Sequence, residues 1–236
     1  MKSSEEIKEF YDNDTRRKYK IRNNLRHFLI INRLISLGLK RDSRVLEIGC
    51  GNGGITKLIA KKAYRGKVTG VDISTECIAA AKSNLNDYKN INYVVSDMLD
   101  FVSKEKFDII VLADVLEHIP IDFHDKLFGT LSSVLEKNGL IFIHIPEPKA
   151  LEWTIEKEPE KLQVVDQPLH SDKLINTAYK NGLYLRELKS YSIFNEQPDY
   201  QYIVLAKKEN KLQYKNLPNW KIILKKGYSK LINKLS

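Results

Sequence analysis

The sequence predicts an α/β fold in which a doubly wound, mostly parallel sheet carries helices on both faces. Strand-like and helix-like segments alternate along the chain after residue 40, as they do in sheets with crossover helices. One strand, "FDIIVLAD", is apolar almost throughout, which is typical of a strand buried on both faces. The last two strands are joined by "NEQPD", which is too short for a crossover helix, so the last strand is predicted to be antiparallel.

The first predicted element is helical and precedes the sheet. Residues 4–38 are expected to be largely helical and to end at Gly38. The predicted apolar positions are Ile21, Leu25, Phe28 and Leu29 on one face, continued by Ile31, Leu34 and Ile35. The segments that follow are predicted, in order, as strand "RVLEIG", helix "ITKLIAKKA", strand "KVTGVDIS", helix "TECIAAAKSNL", strand "INYVVSD", strand "FDIIVLAD", helix "FHDKLFGTLSSVLEKNG" ending at Gly139, and strand "LIFIHI".

The last third of the chain begins with an interruption of this alternation. Residues 146–170 contain four prolines and many charges, and they are predicted to form an inserted loop or short helix over one end of the sheet. Ser171 is the expected N-cap of helix "SDKLINTAYKNG". Strands "LYLRELKSYSIF" and "YQYIVLAKK" then complete the sheet.

Composition narrows the class of protein. The 236 residues are enough for one α/β domain with an elaboration or two. No run approaches the roughly 18 apolar residues of a membrane-spanning helix, and the N-terminus has no apolar signal-peptide core, which predicts a cytoplasmic protein. Cys50 and Cys77 lack the spacing of metal ligands, so neither a disulfide framework nor a metal site is expected.

The net positive charge of the chain comes from its two ends. Residues 1–44 carry 12 Lys and Arg against 6 Asp and Glu, and residues 207–236 carry 9 against 1. The segment between them has 18 basic and 23 acidic residues. Partners with negative charge are therefore expected to meet the ends and not the central body.

The segment "RVLEIGCGNGGIT" contains the fingerprint of a nucleotide-binding loop. Gly49, Gly51 and Gly54 fit the G-x-G-x-x-G spacing, and Asp72 follows at the distance expected for a ribose-binding acid. This pattern fits NAD as well as other nucleotides. Glu47, however, would place a carboxylate where a dinucleotide brings its pyrophosphate, and it would suit a ligand with an ammonium group and a sulfonium, such as S-adenosylmethionine. The alternative role for Glu47 is that of a buried salt-bridge partner.

Four motifs in order extend this pattern over the chain: "LEIGCGNGG", Asp72 in "VDIS", Asp97 in "VVSDM", and "FDIIVLADVLEHIP". With them, residues from about 40 to 207 resemble the class I S-adenosylmethionine-dependent methyltransferases. The resemblance implies a seven-stranded Rossmann-like sheet in the order 3-2-1-4-5-7-6 with the last strand antiparallel. It also implies three parts of the chain: an N-terminal helical cap (1–40), a methyltransferase domain (41–208) whose insertion at 146–170 faces the acceptor, and a C-terminal tail (209–236).

The resemblance also implies a cofactor site. In that family the glycine loop lies along the methionine part of S-adenosylmethionine, the residue matching Asp72 binds the ribose hydroxyls, and the residues matching Asp97 and Met98 contact the adenine. Simple loop-capping roles for Asp72 and Asp97 remain the alternative. The predicted cofactor-binding residues are Glu47, Gly49, Cys50, Gly51, Asn52, Gly53, Asp72, Ile73, Asp97, Met98 and Asp114.

Methyl transfer from a sulfonium is a direct displacement, in which positioning does most of the work. A general base helps when the acceptor is a hydroxyl or a protonated amine. His118 in "LEHIP" is the first candidate, because it matches a position that often faces the acceptor in small-molecule members of the family; a structural role is equally open. Glu117 and His170 are the further catalytic candidates, whereas His144 is expected to be a core histidine.

Several acceptor classes are disfavoured. "ADVL" stands where enzymes that methylate exocyclic base amines carry a [DNS]-P-P-[YFW] clamp, and no cysteine nucleophile follows the fourth strand. DNA is therefore not an expected partner, and a small molecule such as a sugar, a surface-glycan precursor, a quinone precursor or an amine is. Tyr11 and Tyr19 are candidates for covering the methyl site. A nicotinamide-dependent oxidoreductase, an RNA or protein methyltransferase, and a binding module without activity are the alternatives.

The tail has the pattern of a basic amphipathic helix. Trp220, Leu224, Tyr228, Leu231 and Leu235 recur at spacings of one helical stripe, with lysines beside them. Such a helix is predicted to make peripheral contact with the inner, anionic membrane surface. The alternative is that the stripe packs on the body of the protein or on a second copy in a homodimer.

Overall fold

The computed structural model describes residues 4–17, 20–99 and 101–207, and six single positions between 218 and 226. Within them, seven strands form one sheet in the order β3-β2-β1-β4-β5-β7-β6, and β7 is antiparallel to both of its neighbours. The predicted fold class and strand order are thereby confirmed. The strands are β1 (Arg44–Ile48), β2 (Lys67–Asp72), β3 (Ile91–Val95), β4 (Phe107–Ala113), β5 (Leu135–Pro146), β6 (Leu183–Tyr191) and β7 (Tyr200–Lys207). The helices are α1 (Ser4–Arg17), α2 (Leu25–Ser36), α3 (Gly54–Lys62), α4 (Thr75–Asn84), α5 (His124–Val134), α6 (Pro148–Lys157) and α7 (Ser171–Lys180).

The sheet has a hydrophobic core on each face. Successive side chains of a strand point to opposite faces, so that Val45 packs in the core formed with α2 and α3, and Leu46 packs in the core formed with α5 and α7. Central strand β4 is buried along most of its length. Helices therefore cover both faces, as the apolar strand pattern predicted.

The parallel strands β1, β2 and β4 end at the same edge of the sheet. In a doubly wound sheet this carboxyl edge is where ligands bind. The glycine loop follows β1, Ile73 follows β2, and Asp114 follows β4. The fold therefore brings together three of the predicted motifs that lie far apart in the sequence.

The N-terminal segment differs from the prediction. Two helices, α1 and α2, replace one long helix, and Asn24 begins the second by accepting a hydrogen bond from the His27 N–H at 3.2 Å. The predicted apolar positions are confirmed in part: Ile31 and Leu34 are buried together with Ile30, whereas Leu25 and Phe28 are about half exposed. Packing on the sheet therefore buries the later positions Ile31 and Leu34 of α2 and leaves those of its first turn exposed.

Two further element boundaries are corrected. Helix α5 ends at Val134 and not at Gly139, because the chain joins the sheet at Leu135, which pairs with Phe107 of β4. Ser171 is the first residue of α7 and not its N-cap; His170 takes the N-cap position without a capping side-chain bond. Both differences come from sheet pairing and local backbone geometry, which propensity alone does not encode.

Among the residues with described positions, no helix is both long and apolar enough to cross a bilayer. Trp220 and Leu224 of the predicted tail stripe have helical backbone and are exposed. Tyr228, Leu231 and Leu235, like Tyr19 of the N-terminal segment, lie outside the described residues. Contact of the tail with a membrane stays a prediction.

Candidate active site

A cleft of about 1610 Å³ opens at the carboxyl edge of the sheet. Its walls come from the glycine loop, α1, the ends of β2 and β4, the insertion 146–170 and the loop before β7. Glu117 and His118 lie on the same wall. Of the predicted cofactor-binding residues, the cleft is lined by Glu47, Gly49, Cys50, Gly51, Asn52, Asp72, Ile73, Asp97, Met98 and Asp114.

The glycine loop turns sharply between β1 and α3. Gly49 has a φ of +67°, and a Cβ there would lie 2.2 Å from Cγ2 of Val115, which follows β4. Gly51 has a φ of +52°, and a Cβ there would meet no atom within 4 Å, so its open side faces the cleft. Gly49 is therefore required for packing within the loop, and Gly51 for close approach of a ligand to the backbone.

Gly49→Ala is expected to lower the free energy of unfolding by about 2–4 kcal/mol, because it combines left-handed strain with a clash. Gly182→Ala is the matched control: its φ of +70° is similar, but its Cβ would meet nothing within 4 Å, and the expected loss is about 1 kcal/mol. Urea denaturation measures both. Adding Val115→Ala to Gly49→Ala is expected to restore part of the loss; equal losses in the Gly49 and Gly182 variants would contradict the clash.

Glu47 fits a cationic ligand group. Its side chain is 2% exposed, and its Oε2 has no hydrogen-bond partner among the residues that the structure describes. Burial raises the pKa of this carboxyl to about 8, with the neighbouring Thr56 hydroxyl opposing the rise. Because an unsatisfied buried carboxyl is costly, the oxygen at the cleft wall is suited to a donor such as an ammonium group. A salt bridge, the alternative role, is not formed within the described chain.

Asp72 links the glycine loop to the start of α4. Its Oδ2 accepts from the Gly51 N–H at 2.8 Å and its Oδ1 from the Ser74 N–H at 2.9 Å. Burial raises the pKa of this carboxyl, against the two backbone N–H groups. The loop-capping bonds of the alternative interpretation are thus present. Each oxygen keeps a lone pair for a further donor, so capping and ribose binding are compatible.

Asp97 and Met98 follow β3 and line the other end of the cleft. Asp97 is exposed, and its Oδ1 accepts from the Leu99 N–H at 3.0 Å. Met98 is fully buried in the core below and has a φ of +67°, a backbone region that a non-glycine residue rarely adopts. Such strain concentrates at functional sites. The placement on the cleft agrees with the expected adenine site, whose residue roles stay a prediction.

Asp114 is tied into a polar network. Its carboxylate lies 3.1 Å from Arg26 Nε and 2.9 Å from His144 Nδ1, and His144 Nε2 lies 2.7 Å from the Tyr191 hydroxyl. Burial opposes ionisation, but the His144 ring and then Arg26 lower the pKa of Asp114 below its usual value. His144 is fully buried with both nitrogens engaged, as expected of a core histidine. Asp114 therefore orients Arg26, which also donates to Tyr200 Oη at 2.7 Å.

His118 lies on the cleft wall between the sheet and the insertion. Its Nδ1 is 2.6 Å from the Val165 carbonyl oxygen and 3.1 Å from Asp166 Oδ1. Its Nε2 is 3.2 Å from Gln163 Nε2 and 3.8 Å from Glu117 Oε1. Burial works against a charged ring, yet Asp166 and Glu117 raise the pKa of His118 to about 9.

Glu117 is the second buried carboxyl on the cleft. It is 2% exposed, and within the described part of the chain its Oε2 has no hydrogen-bond partner. Burial raises its pKa to about 8, and His118 opposes that rise. The structure therefore brings the two predicted catalytic residues of "LEHIP" together at one point of the wall.

Helix α1 spans the mouth of the cleft. Tyr11 donates through its hydroxyl to Gln163 Oε1 at 2.9 Å, and its ring centroid is 6.3 Å from that of His118. Asp12 accepts from the Ser74 hydroxyl and from the Glu76 N–H, which anchors α1 at the start of α4. Tyr11 therefore lies beside His118 on the cleft wall, and its proximity to the methyl site stays a prediction.

Two predicted site residues lie elsewhere. The side chain of His170 is 51% exposed and 3.0 Å from Glu152 Oε1, and it does not line the cleft. It takes the N-cap position of α7 and pairs with Glu152 of α6 away from the cleft, so its assignment as a catalytic residue is corrected. Gly53 is not on the wall either; a Cβ there would lie 2.8 Å from Leu85 Cδ1, so this glycine permits α3 to pack on α4.

The residues that sequence reasoning missed come from segments without a motif. Arg26 projects from α2, Gln163 and Asp166 from the insertion, and Tyr200 from the start of β7. None belongs to a spaced pattern. Their arrival at the cleft depends on tertiary contacts such as the Gln167 N–H to the Glu117 carbonyl at 3.1 Å, and the only available signal was the prediction that the insertion faces the acceptor.

The sequence matches one family model and is similar to several methyltransferases and related proteins. It matches the family model of the methyltransferase domain over residues 39–212. It is 33% identical over 104 residues to malonyl-[acyl-carrier protein] O-methyltransferase 1 of Ilyobacter polytropus, covering 44% of this chain and 38% of that protein. It is 36% identical over 122 residues to nodulation protein S of Rhizobium tropici (51% and 50%), and 26% identical over 160 residues to a ubiquinone biosynthesis O-methyltransferase of Coxiella burnetii (63% and 66%). The chain spans about half the length of these curated relatives.

Solved structures share the fold. Magnesium protoporphyrin IX methyltransferase of Synechocystis superposes with a TM-score of 0.68 at 16% identity, covering 87% of this chain and 99% of that one. N-methyltransferase NodS of Bradyrhizobium japonicum superposes with a TM-score of 0.65 at 18% identity, covering 85% and 100%. The expected fold, enzyme family and cofactor are thereby confirmed. The chain belongs to the methyltransferase domain family, and it has the fold of the class I S-adenosylmethionine-dependent methyltransferases.

Proposed function

We propose that the protein transfers a methyl group from S-adenosylmethionine to an oxygen or nitrogen atom of a small-molecule acceptor. The observation that carries the proposal is the buried Glu47 carboxyl, whose Oε2 is unpaired among the described residues beside an open glycine loop. S-adenosylmethionine, when bound, supplies an electrophilic methyl carbon on a sulfonium. The chain supplies an anionic partner for the ammonium group at Glu47 and acceptors for the ribose hydroxyls at Asp72.

In this proposal the acceptor binds between the cleft wall that carries His118 and the insertion 146–170. Polar side chains of the insertion line the cleft, among them Lys161 and Gln163, and two exposed aromatic side chains line it as well, Trp153 of α6 and Phe194 of the loop before β7. Polar groups fix the orientation of a ligand, and aromatic faces supply contact area for a ring. This supports a hydroxylated ring, either a sugar of a surface-glycan precursor or a quinone precursor.

Two further points support the quinone and glycan classes. One relative is named a ubiquinone biosynthesis O-methyltransferase, and the basic stripe predicted for the tail would bring the enzyme to lipid-linked acceptors at the inner surface of a membrane. The central body, with 18 basic and 23 acidic residues, offers little to a polyanion such as RNA.

Calorimetry with S-adenosylhomocysteine and with NAD tests the cofactor. At about pH 9, above the Glu47 pKa of about 8, the former is expected to bind with one site per chain and the latter not at all, because the ionised Glu47 repels a pyrophosphate. Binding of NAD alone would overturn the proposal. Methyl transfer from labelled S-adenosylmethionine into a small-molecule extract of cells that lack the gene tests activity; binding without any transfer would favour a module that has kept the pocket and lost the reaction.

A further inference from the structure

We propose that Asp166 positions His118 so that its Nε2 takes the proton of an acceptor hydroxyl, which makes the reaction an O-methylation. The inference rests on the proposed function and names the reacting atom of its acceptor. It comes from the juxtaposition of Val165, Asp166 and Gln163, all in the insertion, with the His118 ring on the wall of the cleft.

The two oxygens at Nδ1 decide the tautomer of the ring. The Val165 carbonyl at 2.6 Å and the Asp166 carboxylate at 3.1 Å only accept hydrogen bonds, so Nδ1 carries a hydrogen. Both side chains are shielded from water, with Asp166 9% and His118 10% exposed. A neutral His118 therefore has its lone pair on Nε2.

The group next to His118 Nε2 is a hydrogen-bond donor. Gln163 Oε1 accepts from the Tyr11 hydroxyl at 2.9 Å, which turns the amide nitrogen of Gln163 toward His118 Nε2 at 3.2 Å. The Gln163 N–H also donates to the Asp166 carboxylate. Gln163 thus holds the place that an acceptor O–H would take, and the same segment presents the residue that orients the ring.

The charges around His118 favour proton uptake. Glu117 lies on its own turn, Asp166 on the insertion, Asp114 at the end of β4, and Tyr11 on α1. Asp166 and Glu117, with the Val165 carbonyl, raise the pKa of His118 to about 9 despite burial. The fraction of neutral His118 therefore grows as the pH rises toward 9, and the rate of a base-assisted step is expected to grow with it.

The step balances. The hydroxyl proton goes to His118 Nε2, and an electron pair of the acceptor oxygen forms the bond to the methyl carbon. The electron pair of the broken carbon–sulfur bond stays on sulfur, which leaves S-adenosylhomocysteine and a protonated His118. An amine acceptor is less suited to this position, because the surrounding carboxylates would stabilise its unreactive ammonium form.

The tautomer and the pKa of His118 can be measured without any acceptor. Nitrogen-15 NMR of the whole protein with bound S-adenosylhomocysteine is expected to show hydrogen on Nδ1. In Asp166→Asn the pKa of His118 is expected to fall by about one to three pH units, because a charged partner is lost. Asp166→Glu is expected to restore it, and Glu160→Gln, an exposed charge of the same insertion, to leave it unchanged. An unchanged pKa in a folded Asp166→Asn variant would overturn the positioning role.

The acceptor atom is identified by the chemistry of the labelled product. Hot hydriodic acid releases methyl iodide from O-methyl groups and leaves N-methyl groups in place. Product made from the extract of cells that lack the gene is expected to release its label. The rate with wild-type protein is expected to rise with a midpoint near pH 9, and in Asp166→Asn the midpoint is expected at lower pH. Retained label would overturn O-methylation. Failure of S-adenosylhomocysteine to bind would overturn the proposed function instead, so the two failures are distinguishable.

Discussion

His118→Ala is expected to lower the kcat of methyl transfer by about 10²–10⁴-fold, the usual contribution of a general base. Affinity for S-adenosylhomocysteine is expected to stay within about twofold, since the cofactor side of the cleft is built by the glycine loop and Asp72. Initial rates with labelled S-adenosylmethionine, measured from pH 6 to 10, give kcat and its pH dependence. The rising limb with a midpoint near pH 9, which follows from the pKa of His118 of about 9, is expected to disappear with the side chain.

The control for this variant is His170→Ala. His170 is a histidine of the same region, but it pairs with Glu152 outside the cleft, so its removal is expected to change kcat by less than about twofold. His118→Asn serves as a second variant that keeps a polar group beside Glu117 and Asp166, since alanine would remove the ring that contacts both carboxyls. Wild-type rates in both folded His118 variants at pH 9 would contradict a proton-accepting role.

The parts of the site that the sequence predicts are those encoded by contiguous motifs at strand ends. Gly49, Gly51 and Asp72 lie where they were expected, because parallel strands bring their carboxyl ends to one edge whatever the loops do. His170 was misplaced for the opposite reason. It lies at the end of an irregular insertion, where no period relates sequence position to orientation.

The contact between Asp166 and His118 could not be predicted from a sequence motif. Asp166 reaches His118 across 48 positions of sequence only after the insertion has folded back through backbone bonds such as that from Gln167 to the Glu117 carbonyl. In α2 the same kind of effect selects among the predicted apolar positions: packing on the sheet buries Ile31 and Leu34, and it leaves Leu25 and Phe28 about half exposed. Local pattern fixes which elements form, and tertiary contact fixes which of their side chains meet.

Glu47→Gln is expected to weaken binding of S-adenosylhomocysteine by about 10- to 100-fold at pH 8, the loss that follows from replacing a charge-assisted hydrogen bond by a neutral one. The substitution keeps the shape of the side chain, which is 2% exposed, so the pocket itself is preserved. Calorimetry measures the dissociation constants. Equal affinity of the two proteins would remove Glu47 from the cofactor site.

The pH dependence of binding makes the same assignment more specific. The pKa of Glu47 is about 8 in the unliganded protein because the carboxyl is buried, so at pH 7 it holds a proton that an arriving ammonium group must displace. Affinity is then expected to rise about tenfold per pH unit from pH 6 to 8 and to level off above it. In Glu47→Gln that slope is expected to vanish. Glu117→Gln is the matched control, since it removes a carboxyl of equal burial and a pKa also near 8, and the slope is expected to persist.

The stability of the unliganded protein is expected to depend on pH in the opposite direction to the affinity for S-adenosylhomocysteine. A carboxyl whose pKa rises from 4.5 to about 8 on folding keeps its proton in the folded state while the unfolded chain has lost it. The free energy of unfolding therefore falls as the pH rises from about 4.5 to 8, and Glu47→Gln, which has no proton to lose, is expected to fall less steeply. Affinity that rises with pH while stability declines, both through Glu47, would show that this carboxyl is neutral in the free protein and becomes charged when the ligand binds. Parallel pH profiles of stability in the wild type and in Glu47→Gln would contradict that explanation.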